Sequence, residues 1–155
     1  MMKEAETLLI AARAAGITIA TAESCTGGMV SAAITDIAGS SAIFDRGFVT
    51  YTNLAKTQML GVKPETLAAF GAVSENVAHE MATGAIAHSN AQLAVSITGI
   101  AGPGGSDHKP EGRVCFGLSD TSGTTTQTIE FGAIGRKNVR AQATKHALIL
   151  LLSAL

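Results

Sequence analysis

Charge is scarce in this chain. Asp, Glu, Lys and Arg together make up 15% of its 155 residues and nearly cancel, leaving a net charge of -1 and a pI near 6.4. No basic run of the kind that grips a phosphate backbone is present, so nucleic acid is not an expected partner. Cysteine is scarcer still. Cys25 and Cys115 form neither a disulfide framework nor a zinc pattern, which fits reduced thiols and a cytoplasmic protein. Long apolar runs are missing as well. Ala147–Leu152 is the longest and falls far short of a membrane span, and Lys3, Glu4, Glu6 and Arg13 break the N-terminal segment as a signal peptide. His79, His88, His108 and His146 have no metal-ligand spacing, and no metal or cofactor is expected. Neither a P-loop nor G-x-G-x-x-G occurs. What the chain does have is 46% hydrophobic residues, enough for one domain over residues 1–155 with a real core.

Periodicity supplies the elements. Residues 1–15 have helical spacing and stop at Gly16; residues 17–22 (ITIATA) are β-branched and short, as in a strand. Glu23-Ser24-Cys25-Thr26-Gly27-Gly28 reads as a strand-to-helix turn in which Ser24 or Thr26 caps a helix to about Ile37. A strand over 44–51 leads to a short helix capped by Thr52 or Asn53 and ended by Gly61. Further helices start at Pro64 and after Ser74. Residues 92–98 (QLAVSIT) are nearly continuously apolar, as in a buried central strand. A glycine-rich loop over 99–112 precedes a hairpin, 113–119 with 124–131, and the final helix begins near Gly135. This order predicts a three-layer α/β/α sandwich with a mixed five-stranded sheet. Loops 23–28, 39–42, 51–56 and 98–112 are expected to meet at one sheet edge.

Those loops hold the candidate chemistry. Ser41, Tyr51 and Lys56 form a constellation able to cleave an amide or ester: a serine nucleophile, a lysine whose pKa burial lowers, and a tyrosine to manage the proton. Ser40 competes with Ser41. The turn with Glu23, Thr26, Gly27 and Gly28 offers N–H groups at a helix start, suited to a phosphate or an oxyanion. Cys25 occupies a position where a thiolate is also stabilised. Gly99 opens a loop able to place N–H groups around an anion, with the Thr98 hydroxyl beside it. Ser106-Asp107-His108-Lys109 matches S-x-x-K, but in a loop before Pro110 rather than on a helix. Arg136 and Arg140 in the last helix are candidate phosphate forks.

Four segments taken together, TAESCTGG (21–28), DIAGSSAIFDRGFVTYTNLAK (36–56), GAVSENVAHEMATGA (71–85) and SITGIAGPGGSDHKPEGRVCFG (96–117), resemble the CinA C-terminal domain family. The resemblance covers about residues 5 to 150. It implies a CinA-like three-layer fold, commonly a homodimer, and hydrolysis of the carboxamide of nicotinamide mononucleotide to nicotinate mononucleotide and ammonia. It further implies Ser41, the second serine of the GSS turn, as nucleophile, with Lys56 as base and Tyr51 assisting. The 39–42 turn, with Gly39 and Ser40, or a neighbouring loop is then the source of the oxyanion N–H groups. Thr98, the Gly27-Gly28 turn and Arg140 (with Arg136 as alternative) hold the phosphoribosyl part. Glu111 and Arg113 stand where relatives often have valine and threonine. The alternative is a nucleotide-binding or protein-interaction module linked to competence or DNA damage, with little turnover.

Overall fold

The computed structural model describes residues 1–155. Helix α1 (Met2–Ala15) ends at Gly16, whose φ of 67° places it in the left-handed region that closes a helix. Strand β1 (Ile19–Glu23) is fully buried and leads through the 24–28 turn into α2 (Met29–Thr35). A single 3-10 turn at Ser40–Ala42 precedes β2 (Phe44–Val49). Three helices follow: α3 (Asn53–Leu60), α4 (Pro64–Phe70) and α5 (Glu75–Ala87). Then come β3 (Leu93–Gly99), the hairpin β4 (Arg113–Asp120) and β5 (Gly123–Glu130), and α6 (Arg136–Ser153).

The strands lie in the order β2-β1-β3-β4-β5. β1 runs parallel to both β2 and β3, whereas β3–β4 and β4–β5 are antiparallel. The expected mixed five-stranded sheet is therefore observed. Helices cover both faces. Leu8 and Ala12 of α1, Val30 and Ile34 of α2, and Val139, Ala143, Ala147 and Leu151 of α6 pack on Ile19, Val95, Ile97 and Phe116. On the other face Leu60, Val77, Met81 and Ala85 pack on Ala20, Ala22 and Ala94. Strands β1 and β3 are buried on both faces because each is sandwiched, and the polar side chains they carry inward are Thr21, Glu23, Ser96 and Thr98.

Local chemistry explains several boundaries. The Thr52 and Ser74 hydroxyls accept from the N–H groups of Ala55 and Val77 and so cap α3 and α5. Gly84 lets α5 run against the end of α3, where a Cβ would collide with the Leu60 carbonyl oxygen. The α2 cap departs from expectation. Its N-cap is Gly28, and neither Ser24 nor Thr26 supplies a capping hydroxyl. The cap comes from Glu23, the last residue of β1, whose carboxylate accepts from the N–H groups of Gly28, Val30 and Ser31.

The chain leaves β1, crosses to β2 on one side, and returns through α3–α5 to β3 on the other. In such sheets the crevice beyond the carboxyl ends of the strands around that reversal is the place for a ligand. The loops at the ends of β1, β2 and β3 meet there. The 39–42 turn does not join them. It leads into β2 and so lies at the opposite edge of the sheet, and β2 alone, at about 3.3 Å per residue, spans about 20 Å.

Candidate functional site

Lys56 is the largest fully buried side chain of the protein, 1% exposed in the first turn of α3. Its Nζ stands 3.0 Å from Ser24 Oγ, 3.1 Å from Thr50 O and 3.2 Å from Tyr51 O. No carboxylate forms an ion pair with it, and desolvation lowers its pKa from 10.5 to about 8. A neutral amine keeps two N–H groups. Directed at the two carbonyls, they leave the nitrogen lone pair facing the Ser24 hydroxyl. Ser24 itself is held at the end of β1, where its N–H donates to Ile97 O (2.9 Å) and its carbonyl accepts from Gly27 N (3.0 Å).

Glu23 fixes this turn from beneath. Its carboxylate is fully buried and accepts from Thr26 Oγ1, Gly28 N, Val30 N, Ser31 N and Ser31 Oγ, at 2.7–3.2 Å. The amino end of α2 is thus already occupied by the chain's own anion. Arg140 supports the turn from the side. Its Nε donates to Cys25 O (3.0 Å) and its Nη2 to Thr26 O (3.4 Å).

Ser24 and Lys56 open into a cavity of about 340 Å³, within the roughly 300–1,000 Å³ usual for small-molecule sites. Tyr51, Asn53, Thr98 and the glycine-rich loop from Gly99 to Asp107 line it, with Lys109 and Arg136. Arg136 opens α6 and spans the mouth, donating from Nη1 to Gly102 O (2.8 Å) and from Nη2 to Tyr51 Oη (2.9 Å). Lys109 donates to Phe70 O and Val73 O, both at 2.6 Å, which ties the far side of the loop to the α4–α5 connection.

The structure redistributes the residues singled out from sequence. Ser41 is exposed in the 3-10 turn at the wrong end of β2, so it does not meet Lys56; Ser24 does. Ser40 is buried in the same turn, and Gly39 packs beside Arg13 and Leu9 of α1, so neither reaches the cavity. The Tyr51 hydroxyl pairs with Arg136, and it is the Tyr51 carbonyl that meets Lys56. Glu23, Thr26, Gly27 and Gly28 build the turn and are absent from the cavity wall. Thr98 and Gly99 do line the cavity, and the Thr98 hydroxyl donates to Ala72 O (2.8 Å). Arg140 lies behind the turn, and Arg136 is the arginine at the mouth. Cys25 borders the cavity, but burial pushes its pKa up to about 12, so it stays a thiol. Glu111 accepts from Gly104 N and packs on Gly102, while Arg113 pairs with Glu130. No group of three or more His, Cys, Asp or Glu side chains gathers as a metal site. No helix is long and apolar enough to cross a membrane.

Sequence reasoning gave Ser24 only a capping role and missed it as the serine that meets Lys56. The available signal was its position, immediately after a buried strand in a turn of small residues, where a hydroxyl is presented at the carboxyl edge of a sheet.

Comparison with known proteins places these features in context. Residues 2–155 match the family model described as the CinA C-terminal domain. The nicotinamide-nucleotide amidohydrolase PncC of Escherichia coli K12 is 54% identical over 149 residues, covering 96% of this chain and 90% of that protein. Among solved structures, the competence/damage inducible protein CihA from Agrobacterium tumefaciens superposes with a TM-score of 0.95 at 47% identity, covering 98% of this chain and 93% of that one. A CinA superfamily protein from Escherichia coli superposes with a TM-score of 0.94 at 38% identity, covering 98% and 88%.

Proposed function

We propose that this chain, which belongs to the CinA C-terminal domain family, is a nicotinamide-nucleotide amidase with Ser24 as its nucleophile. The observation that carries this reading is the 3.0 Å approach of Ser24 Oγ to a buried lysine that lacks a counter-charge. The amidohydrolase name of a relative 54% identical supplies the substrate.

Neutral Lys56 accepts the Ser24 hydroxyl proton as Oγ attacks the carboxamide carbon. The amide N–H of Cys25 follows the nucleophile and has no hydrogen-bond partner within the chain. We assign it as an oxyanion donor; such donors are worth about 3 kcal/mol each. The proton held on Lys56 passes to the departing nitrogen, and ammonia leaves an acyl ester on Ser24. Water then gives a proton to Lys56 and attacks the ester. The Lys56 proton returns to Ser24 as its ester bond breaks, and the acid product gives its remaining proton to ammonia or solvent and leaves as the carboxylate. Arg136, displaced from Gly102 O and Tyr51 Oη, is our choice for the phosphate fork. Free, buried Cys25 and Cys115 fit a cytoplasmic enzyme in pyridine nucleotide salvage. Exposed Val49, Tyr51 and Leu54 fit a homodimer contact, to be checked by light scattering.

Ser24→Ala should abolish ammonia release from nicotinamide mononucleotide, whereas Ser41→Ala should leave it near the wild-type rate. Turnover surviving in folded Ser24→Ala would end this mechanism.

A further inference from the structure

Asp107 is the sole carboxylate among the residues lining the cavity. It stands at the tip of a two-residue hairpin. Ser106 and Lys109 exchange both main-chain hydrogen bonds, at 3.0 and 2.8 Å. Between them Asp107 and His108, at φ 49° and 62°, are the only non-glycine residues with positive φ. Two consecutive left-handed residues are the mark of a tight hairpin turn, a position usually given to Asn-Gly. The hairpin is anchored below its tip. Lys109 is tied to Phe70 O and Val73 O, and Gly104 N–H donates to Glu111. Asp107 is exposed, and neither a hydrogen bond nor an ion pair within the chain occupies its carboxylate.

A carboxylate only accepts hydrogen bonds. At the mouth of a site for an anionic nucleotide it is repelled by the ligand's phosphate unless the ligand presents donors to it. The carboxamide is committed to Ser24 at the cavity floor, and the phosphate has no donors at neutral pH. The remaining donors are the two vicinal ribose hydroxyls, which lie between those ends of the molecule. Acidic side chains in open α/β sheets hold ribose hydroxyls in this way. Pairing with the pyridinium charge is the weaker reading, because exposed ion pairs contribute little through solvent.

We propose that Asp107 accepts hydrogen bonds from the ribose 2′- and 3′-hydroxyls, making the site selective for ribosyl over deoxyribosyl substrates. This rests on the nucleotide amidase reading above.

The test is ammonia release measured on nicotinamide mononucleotide and on its 2′,3′-dideoxyribosyl counterpart, with wild type, Asp107→Asn and Asp107→Gly. Both replacements tolerate the left-handed backbone. Wild type should prefer the ribosyl substrate roughly tenfold or more in kcat/KM. Asp107→Gly should raise KM for that substrate until the preference disappears, and should melt as wild type does. Asp107→Asn should fall between. Equal losses on both substrates, or a wild type indifferent to the hydroxyls, would overturn the inference while leaving the amidase reading intact. So would a loss that follows ring charge, seen by comparison with the neutral dihydropyridine nucleotide. Absence of ammonia from both substrates with wild type would instead defeat the amidase reading, and this inference with it.

Discussion

Replacing Lys56 by methionine should inactivate the enzyme and at the same time stabilise it. Burial lowers the Lys56 pKa from 10.5 to about 8, so at neutral pH the folded protein holds a charged ammonium that it disfavours. At about 1.4 kcal/mol per pH unit, the gap corresponds to about 3 kcal/mol of lost stability. Methionine matches the stem of lysine and carries no charge. It leaves Thr50 O and Tyr51 O without their donor, so the net gain should be smaller, about 1–2 kcal/mol, or a few degrees in melting temperature. The sign with pH follows from linkage. Below about 8 both folded and unfolded Lys56 are protonated, and the penalty is constant. Between about 8 and 10.5 the unfolded chain holds the proton and the folded one does not, so the wild type gains stability as pH rises. The advantage of Lys56→Met should therefore shrink from pH 7 to pH 10. Calorimetry of both proteins at the two pH values measures this difference and cancels the other titrating groups. A difference that stays flat across that range would show that Lys56 titrates as an ordinary lysine, and the reasoning would be wrong.

Three further outcomes are expected. The rate constant kcat/KM should rise about tenfold per pH unit below about 8 and then level, because the reactive form of Lys56 is the deprotonated one; a pH–rate profile with no such limb would remove Lys56 as the base. Glu23→Gln should cost about 3 kcal/mol in urea unfolding and lower kcat, since an amide cannot accept from all five donors that now converge on the carboxylate. Arg136→Ala should raise KM for nicotinamide mononucleotide more than for the riboside, which lacks the phosphate, whereas Arg140→Ala should lower the melting temperature through loss of its Cys25 and Thr26 carbonyl contacts.

The layered architecture was readable because its signals are local. Apolar β-branched segments mark the strands sandwiched between helices, Thr52 and Ser74 announce helix starts, and Gly16 and Gly61 announce stops. The pairing inside the site was harder. Ser24 and Lys56 are 32 residues apart and meet only because β1 and β2 lie side by side and parallel. Ser41 is nearer in sequence but on the amino side of β2, so the strand carries it away from Lys56. That error was avoidable in principle, since a helix-to-strand turn and a strand-to-helix turn lie at opposite edges of a parallel sheet. The choice between Arg136 and Arg140 was not available to sequence reasoning. They are one helical turn apart on the same side of α6, and only tertiary packing sends one to the mouth and the other behind the 24–28 turn.

The buried Glu23 carboxylate has a consequence for inhibition. Many α/β proteins leave the amino end of such a helix vacant, and dissolved phosphate or sulfate then competes with substrate there. In this chain the seat is filled by a covalently tethered anion, whose effective concentration greatly exceeds that of any dissolved salt. Inorganic phosphate is left with the arginine at the mouth as its route to interference. Its inhibition should therefore be weak, and it should disappear together with that guanidinium.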